Sequence, residues 1–180
     1  IINFTKKIKT VKSINLTTNG ILLSDMLNEL KSSGLSGINI SIDTLNPEKY
    51  KTISRRESLD KVLDSFHQIT NQNLFEIKIN VVAMKNFNDD ELVDFVELTK
   101  YNDITVRFIE LMPFDSHQIW KTGKFYKAGE ILSDLKLKYN HLNKVQGSST
   151  EYHIFRLKGY VGKVAIIPSY TRSLCGKCNR

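Results

Sequence analysis

Four stretches of the chain alternate apolar and polar residues with a period of two, the signature of β-strands with one buried face. The sharpest is Ile38–Asp43, where Ile38, Ile40 and Ile42 share one face and Asn39, Ser41 and Asp43 the other. Asn15, Thr17 and Asn19 oppose Ile14 and Leu16; Glu76, Lys78 and Asn80 oppose Ile77, Ile79 and Val81; Thr105 and Arg107 oppose Ile104, Val106 and Phe108. Strands are expected at Ile14–Thr18, Gly37–Asp43, Phe75–Met84 and Asp103–Leu111.

Between the strands the period lengthens to that of helices. Leu23, Met26, Leu27 and Leu30 form one stripe, with Ser24-Asp25 as the expected N-cap and Gly34 as the stop. Leu59, Val62, Leu63, Phe66 and Ile69 form a second stripe on Ser58–Asn71. Pro47 sits early in a short helix, where its missing N–H costs nothing. Asn88-Asp-Asp-Glu91 places acid at a helix start that carries Leu92, Phe95 and Val96 inward. Strands separated by helices are parallel, and their apolar faces lie under those helices. The polar faces then line an interior. An ordinary barrel fills that space with branched apolar side chains, so a polar interior suits a large polar ligand; the bland alternative is a set of half-solvated strands with one wet face.

The pattern changes after Pro113. Residues 114–127 carry no periodicity and read as a long loop, Ala128–Tyr139 as a short helix, and Glu151–Leu157 with Val161–Ile167 as an antiparallel hairpin appended to the α/β part. The expected organisation is a partial parallel barrel over residues 1–113 and a C-terminal extension over 114–180. Four βα units leave an open sheet edge, which predicts further strands before residue 1.

Composition narrows the picture only a little. Hydrophobic residues are 41% and charged residues 25% of the 180, an ordinary globular balance. Lys+Arg 26 against Asp+Glu 19 gives a net charge of +7, which suits an anionic partner such as a nucleotide, a nucleic acid or an acidic surface. No apolar run has the length of a membrane span. The chain has 2 cysteines, Cys175 and Cys178, so a disulfide framework is not expected and a reducing compartment is. A Cys-x-x-Cys pair serves as half a zinc site, a redox pair or an iron–sulfur corner. The inward cations Lys78 and Arg107 call for an anion, supplied by a ligand or by an internal pair such as Lys78–Glu76 or Lys78–Asp43. Glu110, near Arg107 in sequence, falls on the opposite face of its strand.

Six segments in order, Leu16-Thr-Thr-Asn-Gly20, Asn39-Ile-Ser-Ile-Asp43, Lys78-Ile-Asn-Val-Val82, Asn88-Asp-Asp-Glu91, Arg107-Phe-Ile-Glu-Leu-Met-Pro113 and Cys175-x-x-Cys-Asn-Arg180, resemble the GTP 3′,8-cyclase family of radical SAM enzymes in molybdenum cofactor biosynthesis. The likeness runs from about Ile14 to Arg180. It implies an α/β fold, an incomplete parallel (β/α) barrel of the radical SAM type with a C-terminal antiparallel hairpin and a cluster-binding extension. It also implies two 4Fe–4S clusters and S-adenosylmethionine. In that family a 5′-deoxyadenosyl radical takes hydrogen from C3′ of GTP, giving (8S)-3′,8-cyclo-7,8-dihydroguanosine 5′-triphosphate, and the protein supplies placement and exclusion of water.

Carried over by motif position, Ser41 and Met112 are expected beside S-adenosylmethionine, and Thr17, Lys78 and Arg180 at GTP. Cys175 and Cys178 match two ligands of the second cluster, and Arg107 fits the lumen. The family's CxxxCxxC for the first cluster, the third cysteine of the second, and a second arginine after it are not among these residues, so the chain by itself is expected to be inactive. GTP is the expected partner, with neither nucleic acid nor membrane, and a homodimer is the candidate assembly. The location implied is cytoplasmic in a bacterium and mitochondrial in a eukaryote. The alternatives are another radical SAM enzyme with an auxiliary cluster and, from the +7 charge, a basic nucleic-acid-binding domain.

Overall fold

A computed structural model describes residues 1–112, 123–145 and 153–171. The chain divides into two compact units, Ile1–Ile79 and Asn80–Arg180.

The first unit begins with a single helical turn, α1 (Ile2–Thr5), and then alternates strand and helix: β1 (Asn15–Thr18), α2 (Leu23–Ser33), β2 (Gly37–Ser41), α3 (Pro47–Ser54) and α4 (Leu59–Gln72), before entering β3 (Glu76–Ala83). β1 and β2 are parallel, with Thr17 opposite Asn39. Ile38, Ile40 and Ile42 are buried with Leu23, Leu27 and Leu30 of α2 and Leu59, Val62, Phe66 and Ile69 of α4. The apolar halves of the alternating strands and the helical stripes are therefore one core, as the two periodicities require.

The start of α2 departs from expectation. Its N-cap is Leu22, which offers no side-chain bond, in place of Ser24-Asp25. The Ser24 N–H instead donates to Ser65 Oγ at 3.2 Å, a buried hydroxyl on α4. One of the orphan N–H groups of a helix start is thus satisfied from a neighbouring helix. The stop is as expected: Gly34 closes α2 in the left-handed region at φ 88°. Gly20, at φ 81°, has a similar need, and a Cβ there would also lie 3.0 Å from Val62 and 3.1 Å from Ile40.

The second unit holds the end of β3, then α5 (Leu92–Glu97), β4 (Ile104–Glu110), α6 (Ala128–Lys138), β5 (Leu142–Val145), β6 (His153–Leu157) and β7 (Lys163–Ile167). Asn88-Asp-Asp-Glu91 enters α5 through a 3-10 turn at Asp89–Glu91. Before that turn, Asn88 bonds back to β3, donating to Val82 O at 2.9 Å and accepting from Met84 N at 2.7 Å. Phe95 and Phe108 meet edge to face at 6.3 Å in a core shared with Ile131, Leu135 and Val164.

The hairpin is not an appendage. β6 and β7 are antiparallel, but β7 lies parallel to β4 from Thr105–Lys163 to Ile109–Ile167. α6 lies in the connection that a parallel pair needs. β5, absent from the sequence expectation, pairs antiparallel with β6. The expected loop 114–127 falls mainly on residues outside those described, and its last part is packed: Tyr126 is wholly buried and Phe125 bridges Met84. Each unit is thus α/β: β1 pairs parallel with β2 in the first, and the strands of the second run in the order β4-β7-β6-β5. No helix among those residues is long and apolar enough to cross a membrane.

Candidate functional site

In the first unit the alternation puts chemistry on one face of the strands. Thr17 and Ser41 are exposed, and Asn39 and Lys78 are half-buried. Asn39 Nδ2 donates to Thr17 Oγ1 across the strand pair at 3.1 Å. Lys78 Nζ lies 2.8 Å from Glu76 Oε1, so the internal pair is the one formed. The Lys78 side chain is 24% exposed and that of Glu76 64%. A carboxylate so well solvated holds a lysine weakly, and an arriving anion can replace it at small cost.

Beyond the C-terminal end of β2, where parallel α/β sheets present their ligand-binding loops, there is a cavity of about 300 Å³. Asn19, Ser41, Asp43, Tyr50, Ser54 and Arg56 are among its lining residues. The local turns explain how Arg56 reaches it. Asn46 caps α3 by accepting from Glu48 N at 2.9 Å and Lys49 N at 3.1 Å. At the other end Arg55 adopts φ 57°, and Ser54 Oγ accepts from Arg56 N at 3.1 Å while donating to Tyr50 O at 2.7 Å. Arg56 is a lining residue that the sequence analysis does not single out.

The second unit treats its polar groups differently. Arg107 is half-buried on the face of β4 opposite Val106 and Phe108. Asn80 Oδ1 is buried and has no hydrogen-bond partner among the described residues, a costly state that a donor from a ligand relieves. Glu110 falls on the apolar face, as its position in the alternation requires, and is buried. Its Oε1 accepts from Ala128 N at 2.5 Å and Thr171 Oγ1 at 2.8 Å; its Oε2 accepts from Tyr170 N and Thr171 N, both at 2.9 Å. The sequence held one clue to this network. An acid at the fourth position of Ile104-Val106-Phe108-Glu110 is on a buried face, and a buried carboxylate must find donors.

A second carboxylate cluster lies on Glu97, whose Oε1 accepts from Tyr139 OH at 3.0 Å and from Tyr160 OH. The Tyr160 bond is the chief reason that the Glu97 carboxyl is held below its ordinary value. Burial, reinforced by Glu97, pushes the Tyr160 phenol up to about 12.

Of the expected site residues, Thr17, Ser41 and Lys78 belong to the first unit, and Thr17 is joined to Asn39. Met112 is in the second unit, exposed, two residues beyond the end of β4. Cys175, Cys178 and Arg180 lie outside the described residues. Among the described residues no group of three or more His, Cys, Asp or Glu side chains could hold a metal ion.

Comparison with known proteins fits this arrangement. Residues 1–99 match the Radical SAM superfamily, and residues 104–180 match the family described as Molybdenum Cofactor Synthesis C. The chain belongs to the radical SAM superfamily. It is 39% identical over 180 residues to a protein of Chlorobaculum tepidum named GTP 3′,8-cyclase, covering 100% of this chain and 54% of that one. It is 42% identical over 177 residues to a GTP 3′,8-cyclase of Peptoclostridium acidaminophilum, covering 97% and 53%. A third relative, named GTP 3′,8-cyclase, mitochondrial, from Arabidopsis thaliana, is 38% identical over 174 residues, covering 96% and 44%. The chain thus spans about half the length of the curated relatives it matches.

The superfamily implies S-adenosylmethionine and a 4Fe–4S cluster. The donor set of the first unit fits the nucleoside. Hydroxyls at Ser41 and Ser54, an amide at Asn19 and a guanidinium at Arg56 line the cavity and match a ligand with hydroxyls, an adenine and a carboxylate.

Proposed function

We propose that the protein carrying this chain is a GTP 3′,8-cyclase of molybdenum cofactor biosynthesis, converting GTP to (8S)-3′,8-cyclo-7,8-dihydroguanosine 5′-triphosphate. One observation carries the reading: a radical SAM domain whose accessible strand face presents Thr17, Ser41 and a weakly paired Lys78 together. The names of the relatives support the same substrate.

Ser41 contacts S-adenosylmethionine, and the backbone at Met112 contacts it at the end of β4. Thr17 and Lys78 hold GTP, with Lys78 exchanging the Glu76 carboxylate for the triphosphate, and Arg180 adds a second cation. Arg107 supplies further positive charge, and Asn80 Oδ1 accepts a donor from the bound molecules. When bound, the superfamily's cluster and S-adenosylmethionine supply the radical chemistry, directed here at C3′ of the ribose. The residues of the chain bind, orient and keep out water. Cys175 and Cys178 would be two of the three cysteine ligands of a second 4Fe–4S cluster, which would supply a binding point for the guanine. The functional division is a partial barrel at 1–113 and a cluster-binding extension at 114–180. The assembly is a homodimer without nucleic acid, cytoplasmic in a bacterium and mitochondrial in a eukaryote.

The test is iron reconstitution, without oxygen, of a parent chain extended at both ends, followed by Mössbauer spectroscopy with and without GTP. Two 4Fe–4S clusters, one of them perturbed by GTP, are the expected result. One cluster, or a second one indifferent to GTP, overturns the assignment.

A further inference from the structure

Glu110 is the last residue of β4 and is 1% exposed. The four groups bonded to its carboxylate are Ala128 N, Thr171 Oγ1, Tyr170 N and Thr171 N, and its own carbonyl accepts from Ser169 Oγ at 2.8 Å. Each of the four donates to it. An ionised carboxylate has about four acceptor positions and no proton to offer, so this shell fills it. A glutamine cannot replace it: whichever way its amide turns, the NH₂ faces at least one backbone N–H, and that N–H loses its acceptor. The site is specific for a carboxylate.

Three of these donors, and the Ser169 hydroxyl besides, come from residues 169–171, just past the end of β7 at Ile167. The chain has left the sheet there and has no ladder to hold it. Glu110 replaces the ladder. The fourth donor is the first residue of α6, where a negative charge also suits the helix dipole. Thr171 stands four residues before Cys175 in the sequence.

We propose that Glu110 is a positioning residue for the C-terminal cysteine pair: its carboxylate locks residues 169–171 to the end of β4 and thereby fixes where the segment carrying Cys175 and Cys178 begins. The inference rests on the reading that those cysteines bind an auxiliary cluster. Glu110 touches neither cluster nor substrate; it acts through the backbone of Tyr170 and Thr171.

The experiment uses the parent chain extended at both ends, as wild type, Glu110→Gln and Thr171→Val. Four quantities are read: iron per chain, Mössbauer spectrum, 5′-deoxyadenosine released from S-adenosylmethionine with dithionite, and hydrogen exchange at the Tyr170 and Thr171 amides. In Glu110→Gln the two amides exchange at least about tenfold faster, the loss of a hydrogen bond to a charged group. Iron falls by about half as the second of two clusters is lost, while release of 5′-deoxyadenosine per chain is kept. Thr171→Val removes one donor of four and moves exchange and iron the same way by a smaller amount. A Glu110→Gln protein with wild-type iron and wild-type exchange at those amides overturns the proposal. So does one that is less heat-stable but holds both clusters, since Glu110 then only stabilises the fold. If Glu110→Gln does not fold, Thr171→Val decides, and unchanged iron and exchange in it overturn the proposal. A wild-type parent with a single cluster refutes the functional reading instead, and the exchange measurement still reads the hold of Glu110 on its own.

Discussion

The strands of both units carry the same alternation, yet the two units spend their polar groups differently. In the first, Thr17 and Ser41 stay exposed, and Lys78 leans on a carboxylate that is itself 64% exposed. In the second, Glu110 is 1% exposed and closed by four donors, and Glu97 is gripped by two tyrosines. A polar side chain whose partner is solvated can take a ligand; one enclosed by its partners holds the fold together. Polarity along a strand therefore marks candidates, and the enclosure of each partner sorts them.

The strongest way to break this distinction is to remove one polar group of each kind. Glu110→Ala leaves the buried Ala128 N–H without its acceptor and frees three part-buried donors, and is expected to destabilise the parent chain by about 3 kcal/mol. Ser41→Ala, on the accessible face, is expected to stay within about 0.5 kcal/mol. Denaturant midpoints of the two variants test this, and equal losses would abolish the distinction.

Lys78→Ala sharpens it from the other side. Its pair with Glu76 is partly solvated, so the stability loss is expected to be under about 1 kcal/mol. If the lysine holds the triphosphate, GTP binding to the parent weakens by about tenfold to a hundredfold, the range for a charge-assisted hydrogen bond. Calorimetric titration with GTP gives the answer. A variant that loses stability and keeps its affinity would move Lys78 into the structural class.

The sequence carried the strands, the helical stripes and the polar face because these are local repeats. Ile38, Ile40 and Ile42 announce their face without reference to any other segment. What it did not carry is partners that meet only on folding. Ser65 capping α2 from 41 residues away, the parallel pairing of β7 with β4, and the grip of Glu110 on Thr171 have no local signature. Glu110 came nearest to being legible, because an acid on an apolar face is an anomaly. Alternation puts Thr17, Ser41 and Lys78 on the polar face, and their assignment to a site comes from the family resemblance. Arg56 was missed because its place depends on the turn that ends α3.

A smaller effect is expected at Asn46, whose side-chain amide oxygen Oδ1 caps α3 beside the cavity. Asn46→Ala frees the N–H groups of Glu48 and Lys49 and is expected to cost about 1 kcal/mol. It also loosens the helix that carries Tyr50 and Ser54 to the cavity, so S-adenosylmethionine binding measured by equilibrium dialysis should weaken modestly while GTP binding holds. Equal weakening of both would argue that α3 serves the whole fold and not the cavity.

The smallest effect tests whether Glu97 belongs with Glu110. Tyr160, then Tyr139 and Lys100, hold the Glu97 carboxyl below its ordinary value of 4.5, against the opposing effect of burial. A carboxyl depressed on folding adds stability above its unfolded pKa, and that stability is lost as pH falls through the folded value. The Glu97 side chain is 41% exposed, so solvent screening keeps this to a few tenths of a kcal/mol. Tyr160→Phe removes the largest cause. The difference in denaturant midpoint between wild type and Tyr160→Phe should therefore be greatest near about pH 6 and shrink toward about pH 3.5. If that difference is the same at both ends, the Tyr160 hydroxyl is not bonded to a charged Glu97, and the closed polar class in the second unit reduces to Glu110 alone.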